Sequence, residues 1–304
     1  MSMQTADILE LDPALATAKA APAKWVDFYE LTKPRMNFLV VLTTMVGFYM
    51  ASPAMDWRLL TLTIIGTALT AAGASVLNQY AERELDAKMP RTRNRPLPAG
   101  RVSPREALVW GIALSIAGVA ILVCFVNVLT ALLGAFTLLS YVFIYTPLKR
   151  ITSLNTVIGA VPGAIPPVMG FTAVHNGLSA DAVALFAILF FWQMPHFLAI
   201  AVLYRRDYAL AGFKMLPVVD KELSVTGRQI LLYSIALIPV SFMPSYVGIA
   251  GERYLAVALM LGLAFLSFGI SCATTRTRSD ARKLFIASII YLPALLGVMM
   301  MDRM

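Results

Sequence analysis

Long apolar segments alternate with shorter polar segments along most of the chain. Nine of the apolar segments approach the roughly 20 residues that a helix needs to cross a bilayer. We therefore predict an all-α, polytopic membrane protein in which nine transmembrane helices surround a central cavity. Two polar connections, 80–106 and 204–228, are much longer than the others and predict helical lid loops on one side of the membrane. The predicted spans are 36–51, 59–79, 107–126, 129–146, 154–173, 181–203, 229–248, 254–274 and 283–301.

The composition and the distribution of charge agree with this pattern. The chain has 304 residues, of which 59% are hydrophobic and 14% charged, and a soluble domain of this size could not bury so much apolar surface. When the connections are assigned alternately to the two sides, only Arg58, Arg253 and Arg303 of the 25 Lys and Arg residues fall on one side. The positive-inside rule then predicts a cytoplasmic N-terminus and cytoplasmic long loops. The net charge of +8 indicates contact with anionic headgroups and requires no nucleic acid.

The start of the chain differs from the rest. Residues 1–24 are rich in alanine and carry scattered acidic residues, without the apolar core of a signal peptide. We predict a flexible N-terminal arm at 1–24 and a single transmembrane domain at 25–304. Cys124 and Cys272 lie within predicted spans and show no metal-ligand spacing, which predicts packing thiols.

The second span ends in a row of polar residues, Asn78, Glu82 and Asp86. On a helix, steps of four residues drift by only about 40°, so the three side chains share one face and lie about 6 Å apart along the axis. One amide and two carboxylates on one face form a hard-oxygen site, which suits Mg²⁺ carried by a phosphate ligand. The row therefore predicts an enzyme that ionises a lipid diphosphate at the membrane face.

Basic residues on the same predicted side would hold the phosphates. Arg91 and Arg95 follow the polar row directly, Lys149 and Arg150 end the fourth span, and Lys33 precedes the first span. The simpler interpretation of the row is a solvated helix end, and that of the basic pairs is an anchor for topology. From the sequence, both interpretations stay open for Lys33, Lys149 and Arg150.

The second long loop carries fewer acidic residues. Asp207 stands beside Tyr204 and Arg205, and Lys214 follows, but no second carboxylate lies four residues away. Within the sixth span, about two turns before Tyr204, His196 lies in an apolar run. Because an imidazole in lipid is costly unless it faces a partner, His196 is a candidate functional residue. The alternative is a packing histidine bonded to a carbonyl that Pro195 releases.

These residues resemble a known family. The Asn-x-x-x-Glu-x-x-x-Asp face is similar to the first acidic motif of the UbiA-type intramembrane prenyltransferases. Four runs resemble the branch of that superfamily whose members farnesylate haem b to make haem O. The runs are DAKMPRTRNRPLP (86–98), YTPLKR (145–150), WQMPHFLAIA (192–201) and DYALAGFKMLPVV (207–219).

The resemblance implies a nine-helix bundle around a central cavity, Mg²⁺ as cofactor, and farnesyl diphosphate and haem b as substrates. It also implies a bacterial inner membrane, with haem A synthase or cytochrome oxidase assembly proteins as candidate partners. The predicted catalytic and metal-binding residues are Asn78, Glu82, Asp86 and Asp207. The predicted haem-binding residue is His196. The predicted diphosphate-binding residues are Lys33, Arg91, Arg95, Tyr145, Lys149, Arg150, Tyr204, Arg205 and Lys214.

Two other functions fit parts of the pattern. A basic-lined bundle with polar groups in the membrane is also typical of an organic-anion transporter, but such a protein needs polar groups on both faces. Here the polar groups crowd one face. A prenyltransferase acting on an aromatic quinone precursor is the second alternative, and the four runs disfavour it.

Overall fold

A computed structural model describes residues 23–304. This part of the chain is almost wholly helical and contains no named strand, only an isolated bridge between Ala250 and Arg303. The all-α prediction is therefore confirmed. The helices are α1 (Lys24–Leu31), α2 (Pro34–Ala51), α3 (Trp57–Asp86), α4 (Pro104–Phe125), α5 (Val128–Leu139), a π-helical segment (Ser140–Tyr145), α6 (Thr146–Ile151), α7 (Asn155–Ala164), α8 (Pro166–His175), α9 (Ala180–Leu203), α10 (Arg205–Leu210), α11 (Leu216–Val219), α12 (Ser224–Ser241), α13 (Met243–Tyr246), α14 (Glu252–Thr275) and α15 (Arg278–Met301).

Among residues 23–304, eight helical segments are long and apolar enough to cross a membrane. Several predicted spans are built from two or three consecutive helices, such as α5 with the π-helical segment and α6. The predicted span that is not among these eight is the first, 36–51, which corresponds to α2; this helix has 18 residues and begins with Pro34 and Arg35. That helix is a component of the bundle, but nine spans as an exact count stay a prediction.

The long connections lie together at one end of the bundle, here called the loop end. The loop end carries residues 87–103, between α3 and α4, and residues 204–223, between α9 and α12. At the opposite end, Arg303 donates hydrogen bonds to the carbonyls of Tyr49 and Ser52 and so joins the C-terminus to the end of α2. Since Lys33, just before α2, lies at the loop end, α2 runs the length of the bundle.

Local sequence determines where the helices begin and bend. Asp56 accepts a hydrogen bond from the Leu59 amide at 2.9 Å, which caps α3. Ser103 and Glu106 form a capping box at the start of α4. The fifth predicted span breaks at Ile165, between α7 and α8, because two consecutive prolines follow and donate no amide hydrogen bond. The span is therefore built from two helices.

The two long loops differ in structure. Residues 204–223 contain the short helices α10 and α11, in agreement with a helical lid. Residues 87–103 form a series of turns instead, so the prediction of helix was wrong for this loop. Pro90, Pro96 and Pro98 interrupt helical hydrogen bonding there, and Gly100 takes a positive φ of 72°.

Residues 1–22, most of the predicted N-terminal arm, lie outside the described residues. The helix α1 follows them and is a feature that the sequence reasoning missed. Its Asp27 accepts from Arg101 at 2.7 Å, and the Leu31 carbonyl accepts from Gln79 at 2.6 Å. These bonds attach α1 to the first long loop and to α3.

Candidate functional site

The predicted row of polar residues lies on one uninterrupted helix. The helix α3 continues to Asp86, so Asn78, Glu82 and Asp86 occupy its last three turns. They are almost inaccessible to solvent, with exposed fractions of 1%, 5% and 1%. Because carboxylates are almost never buried without partners, this burial excludes the simple interpretation of a solvated helix end.

Each member of the row has its own basic partner. Lys33 Nζ donates to Asn78 Oδ1 at 2.9 Å, Lys149 Nζ to Glu82 Oε1 at 2.7 Å, and Arg95 Nη1 to Asp86 Oδ2 at 2.7 Å. The polar cluster consists of Lys33, Asn78, Glu82, Asp86, Arg95 and Lys149. It joins three basic side chains to one amide and two carboxylates, so its positive charge is only partly neutralised by its own residues. Because the oxygen ligands are buried, such a cluster is suited to bind an anion away from bulk water.

Lys33 reaches the polar cluster from a strained backbone. It precedes Pro34 and has a φ of 50°, a conformation that is uncommon for residues with a Cβ and costs on the order of 1–3 kcal/mol. Burial, together with the positive charges of Arg95 and Lys149, lowers the pKa of Lys33 to about 7. A bound anion near this side chain would favour its charged form and raise this pKa again.

The π-helical segment directs the next residues into the same place. After it, α6 presents Thr146, whose hydroxyl accepts from Asn78 Nδ2 at 3.0 Å, and Lys149 one turn later. Lys149 also lies over the Tyr145 ring, 4.6 Å from its centroid. The ring of Tyr141 lies 5.3 Å from that of Tyr145. An aromatic pair therefore lines the polar cluster on the side of the fourth span.

The two long loops are joined above the polar cluster. The Arg91 guanidinium lies over the ring of Tyr204 at 4.6 Å and that of Tyr208 at 5.8 Å. Met89 of the first loop packs in one buried apolar group with Phe213 of the second. Arg91 is thus a contact between the loops, whereas Arg95, one turn later, bonds directly to Asp86.

Four other predicted residues lie at the same end with different contacts. Arg205 donates to the Asp220 and Lys221 carbonyls of its own loop, at 3.3 and 3.0 Å. Arg150 and the Lys214 side chain are exposed, although the Lys214 amide donates to the Lys149 carbonyl at 2.7 Å. Asp207 is half-buried on α10. Within residues 23–304 its side chain forms no salt bridge.

The donor set bears on whether a metal would fit. Within residues 23–304, no group of three or more His, Cys, Asp and Glu side chains could hold a metal ion. Asp207 therefore does not complete a three-carboxylate group with Glu82 and Asp86. Two carboxylates and an amide on one face still suit Mg²⁺, since this ion is usually held by one or two carboxylates together with phosphate oxygens and water. The residues fit a metal that arrives with a diphosphate.

His196 lies away from the polar cluster, between α9 and α15. Its Nδ1 is 2.7 Å from the Ser288 hydroxyl, and its ring stacks on Trp192 with centroids 4.8 Å apart. Phe285 lies on the ring as well, at 5.2 Å. The partner is a serine on another helix, not a carbonyl of α9 released by Pro195.

Some residues at the site were not identified from the sequence. Thr146 and Tyr141 face the polar cluster only because of the π-helical segment, which has no clear sequence signal. Asn155 is fully buried and donates to the carbonyls of Thr152 and Lys214, at 2.5 and 3.2 Å. The available signal in the sequence was an asparagine at the start of the predicted span 154–173.

Comparisons with known proteins agree with this geometry. A "Protoheme IX farnesyltransferase" of Solibacter usitatus is 51% identical, over 91% of this chain and 98% of its own length. A protein of the same name from Myxococcus xanthus is 44% identical, over 95% and 98%. The structure of a UbiA homolog from Archaeoglobus fulgidus bound to GPP and Mg²⁺ superposes with a TM-score of 0.65 at 18% identity, covering 90% of this chain and 99% of that one. A structure of digeranylgeranylglyceryl phosphate synthase superposes with a TM-score of 0.74 at 18% identity, covering 92% and 98%.

Both superpositions show that the fold is shared. The model of the UbiA prenyltransferase family matches residues 40–292, which include all of the polar cluster except Lys33. With that match and relatives above 40% identity along nearly the whole chain, the protein belongs to the UbiA prenyltransferase family.

Proposed function

We propose that this protein transfers a farnesyl group from farnesyl diphosphate to a vinyl group of haem b, with addition of water, to make haem O. The polar cluster carries the proposal, because it pairs buried cations with buried oxygen ligands at the end of an apolar bundle. The names of the two relatives support haem as the acceptor.

Binding of a diphosphate with its metal would exchange the partners within the polar cluster. Lys33, Lys149 and Arg95 would move from the side-chain oxygens of α3 to the phosphate oxygens, and Asn78, Glu82 and Asp86 would be the residues that hold the metal. Each charge keeps a partner throughout, so the exchange avoids leaving an unpaired charge in the low-dielectric interior. The bound Mg²⁺ supplies neutralisation of the diphosphate charge as the allylic C–O bond breaks.

The remaining chain groups protect the cation that forms. The farnesyl tail lies in the apolar bundle, and the joined long loops keep bulk water from the allylic carbon. Tyr145 and Lys149 lie at the boundary between the polar cluster and the apolar interior. The roles of Arg91, Tyr204, Arg205, Asp207, Arg150 and Lys214 in diphosphate binding stay predictions.

His196 is the candidate haem-binding residue. The Ser288 hydroxyl donates its single proton to the Phe285 carbonyl at 2.6 Å, so it accepts from Nδ1–H of His196. The proton on Nδ1 leaves the lone pair of Nε2 available for iron. His196 lies eight residues before Tyr204 on α9, about 12 Å below the loop end, which suits a planar acceptor below the diphosphate.

The setting of this reaction is a bacterial plasma membrane, with the N-terminus and the loop end in the cytoplasm. This orientation is supported by the distribution of Lys and Arg, nearly all of which lie on the side of the long loops. Haem A synthase or assembly proteins of cytochrome oxidase are the candidate partners, since haem O would have to be passed on.

The test is an assay of the purified protein in detergent or vesicles with farnesyl diphosphate, Mg²⁺ and haem b. Mass spectrometry of the extracted pigment should show haem heavier by one farnesyl group and one hydroxyl. The Glu82→Gln variant is the control for background transfer. Prenylation of an aromatic acid such as 4-hydroxybenzoate, without product from haem b, would contradict the proposal and favour a quinone precursor as acceptor.

A further inference from the structure

Lys33 occupies a backbone position at which a helix usually places glycine. The helix α1 ends at Leu31, Thr32 follows in a helical conformation, and Lys33 then takes the left-handed conformation, with φ 50° and ψ 58°. Glycine is the usual residue at this point because it has no Cβ to oppose a positive φ. Pro34 adds to the strain, since its ring pushes the preceding residue towards extended conformations. A lysine at such a position indicates that its side chain is needed where this backbone places it.

Hydrogen bonds fix the peptide groups on both sides of Lys33. On the N-terminal side, the Thr32 carbonyl accepts from Asn37 Nδ2 at 2.6 Å. The Lys33 amide donates to the Glu30 carbonyl at 3.1 Å. On the C-terminal side, the Lys33 carbonyl accepts from the amides of Met36 and Asn37, at 3.0 and 3.1 Å. Since φ and ψ describe how the two planar peptide groups of a residue are turned about its Cα, these bonds together determine the conformation of Lys33.

The helix α3 holds the same turn from the other side. Gln79 is only 2% exposed, and its Nε2 donates to the Leu31 carbonyl at 2.6 Å. Gln79 directly follows Asn78, whose Oδ1 accepts from Lys33 Nζ at 2.9 Å. One helix therefore fixes both the backbone that carries Lys33 and the atom that its ammonium group reaches.

The two side-chain amides act on the turn and not on the oxygen ligands. Within the part of the chain that the structure describes, the bonds that Asn37 and Gln79 donate go to backbone carbonyls and not to the polar cluster. Glycine at position 33 would end α1 without strain, so a purely structural turn would not need a lysine there. The combination of two amides with a lysine instead indicates that the turn serves to place the ammonium group.

We propose that Asn37 and Gln79 are positioning residues for the diphosphate, because they hold the turn before α2 so that the Lys33 ammonium group stays at the polar cluster. This inference rests on the proposed function, in which Lys33 exchanges Asn78 for a phosphate oxygen. Because the backbone is fixed in advance, only side-chain torsions change when the ligand binds. Less conformational entropy is then lost on binding than if the turn had to become ordered at that moment.

The test measures the binding of farnesyl S-thiolodiphosphate, an analogue that resists ionisation, to the purified protein in the presence of Mg²⁺. Asn37→Leu and Gln79→Met each remove one donor at similar volume and should weaken binding by about two- to tenfold, the effect of one hydrogen bond. Thr43→Val is the matched control and should leave the affinity unchanged. Thr43 is a buried polar residue of α2 as well, but it bonds to its own helix, at 3.0 Å from the carbonyls of Leu39 and Val40.

The decisive measurement repeats these two substitutions in the Lys33→Met background. A positioning residue acts only through the lysine that it positions, so Asn37→Leu and Gln79→Met should then have no further effect on affinity. Equal weakening in both backgrounds would overturn the proposal, because the amides would then act on the fold or on the ligand without Lys33. Unchanged affinity of both variants when Lys33 is present would overturn it as well.

Thermal unfolding tests the conformation on which the proposal depends. Lys33→Gly and Lys33→Met both remove the ammonium group, but only glycine relieves the positive φ. Lys33→Gly should therefore unfold at a higher temperature than Lys33→Met. The reverse order would contradict a lysine held in the left-handed conformation. Absence of analogue binding to the wild type would instead contradict the proposed function itself, and the identity of the acceptor does not enter any of these measurements.

Discussion

Lys149 Nζ lies 2.7 Å from Glu82 Oε1, although the two residues are 67 positions apart in the chain. Both side chains are largely buried, with exposed fractions of 12% and 7%, so each charge depends on the other. Lys149→Met should therefore lower the free energy of unfolding by about 3–5 kcal/mol, since it leaves the Glu82 carboxylate buried without its cation. Denaturation in detergent measures this effect.

The double variant Glu82→Gln with Lys149→Met is the control for that interpretation. It removes both charges and should recover much of the lost stability while staying inactive. Equal destabilisation in the single and double variants would show that Lys149 stabilises the protein through its contact with Tyr145 rather than with Glu82.

The carboxylates of the polar cluster should be required for activity more than for folding. Glu82→Gln and Asp86→Asn keep the size of the side chain and an oxygen that accepts from Lys149 or Arg95. We expect the fold to be retained, with a smaller loss of stability than in Lys149→Met because an accepting oxygen remains, and a loss of turnover on the order of 10² or more, by comparison with other electrostatic groups in catalysis. Near-full turnover at limiting Mg²⁺ in either variant would exclude that residue as a metal ligand.

Arg91 should act through its flat guanidinium and not only through its charge. Because it stacks on Tyr204 and Tyr208, Arg91→Lys should lose the contact between the long loops and resemble Arg91→Ala, with kcat/KM reduced by about three- to thirtyfold. Arg93→Ala, on the exposed face of the same loop, is the matched control. A lysine variant with wild-type kinetics would indicate a simple charge contact to phosphate.

His196 and Ser288 should affect the acceptor and not the donor. His196→Ala should change the Soret band of bound haem, and Ser288→Ala should weaken haem binding by about tenfold, because the serine orients the imidazole. The affinity for farnesyl diphosphate should stay the same in both, and Ser288→Thr should restore haem binding. If both variants only unfold at lower temperature, with normal haem spectra, His196 is a packing residue.

The orientation in the membrane can be tested by cysteine labelling. In a variant without Cys124 and Cys272, a cysteine at the exposed Lys214 should react with a membrane-impermeant reagent only after the cells are permeabilised. A cysteine at Tyr246, which is 80% exposed at the opposite end, should react in intact cells. The reverse pattern would place the loop end and the polar cluster outside the cell.

The sequence was sufficient for features that depend on local patterning. The apolar segments, the break before Pro166 and the shared face of Asn78, Glu82 and Asp86 all follow from helical periodicity and proline chemistry. Each of these properties is set by residues within a few turns of one another, so a single chain is enough to derive them.

The pairing of charges could not be derived in the same way. Arg91 and Arg95 are equivalent in the sequence, yet one stacks on tyrosines and the other bonds to Asp86. Which basic residue reaches which oxygen depends on how distant helices pack, and several assignments would satisfy the same composition. The small helix α1 was also missed, since eight residues with an exposed Trp25 and Tyr29 show no clear span or cap.

The π-helical segment sets the rotational phase of the helix that follows it. One residue of an α-helix corresponds to about 100° of rotation, and a π-type turn accommodates one additional residue without breaking the rod. Deleting a single residue between Ser140 and Tyr145 would keep the span continuous but turn Lys149 and Thr146 away from Glu82 and Asn78. The length of this short stretch, more than its side chains, therefore determines whether the fourth span delivers a cation to the site.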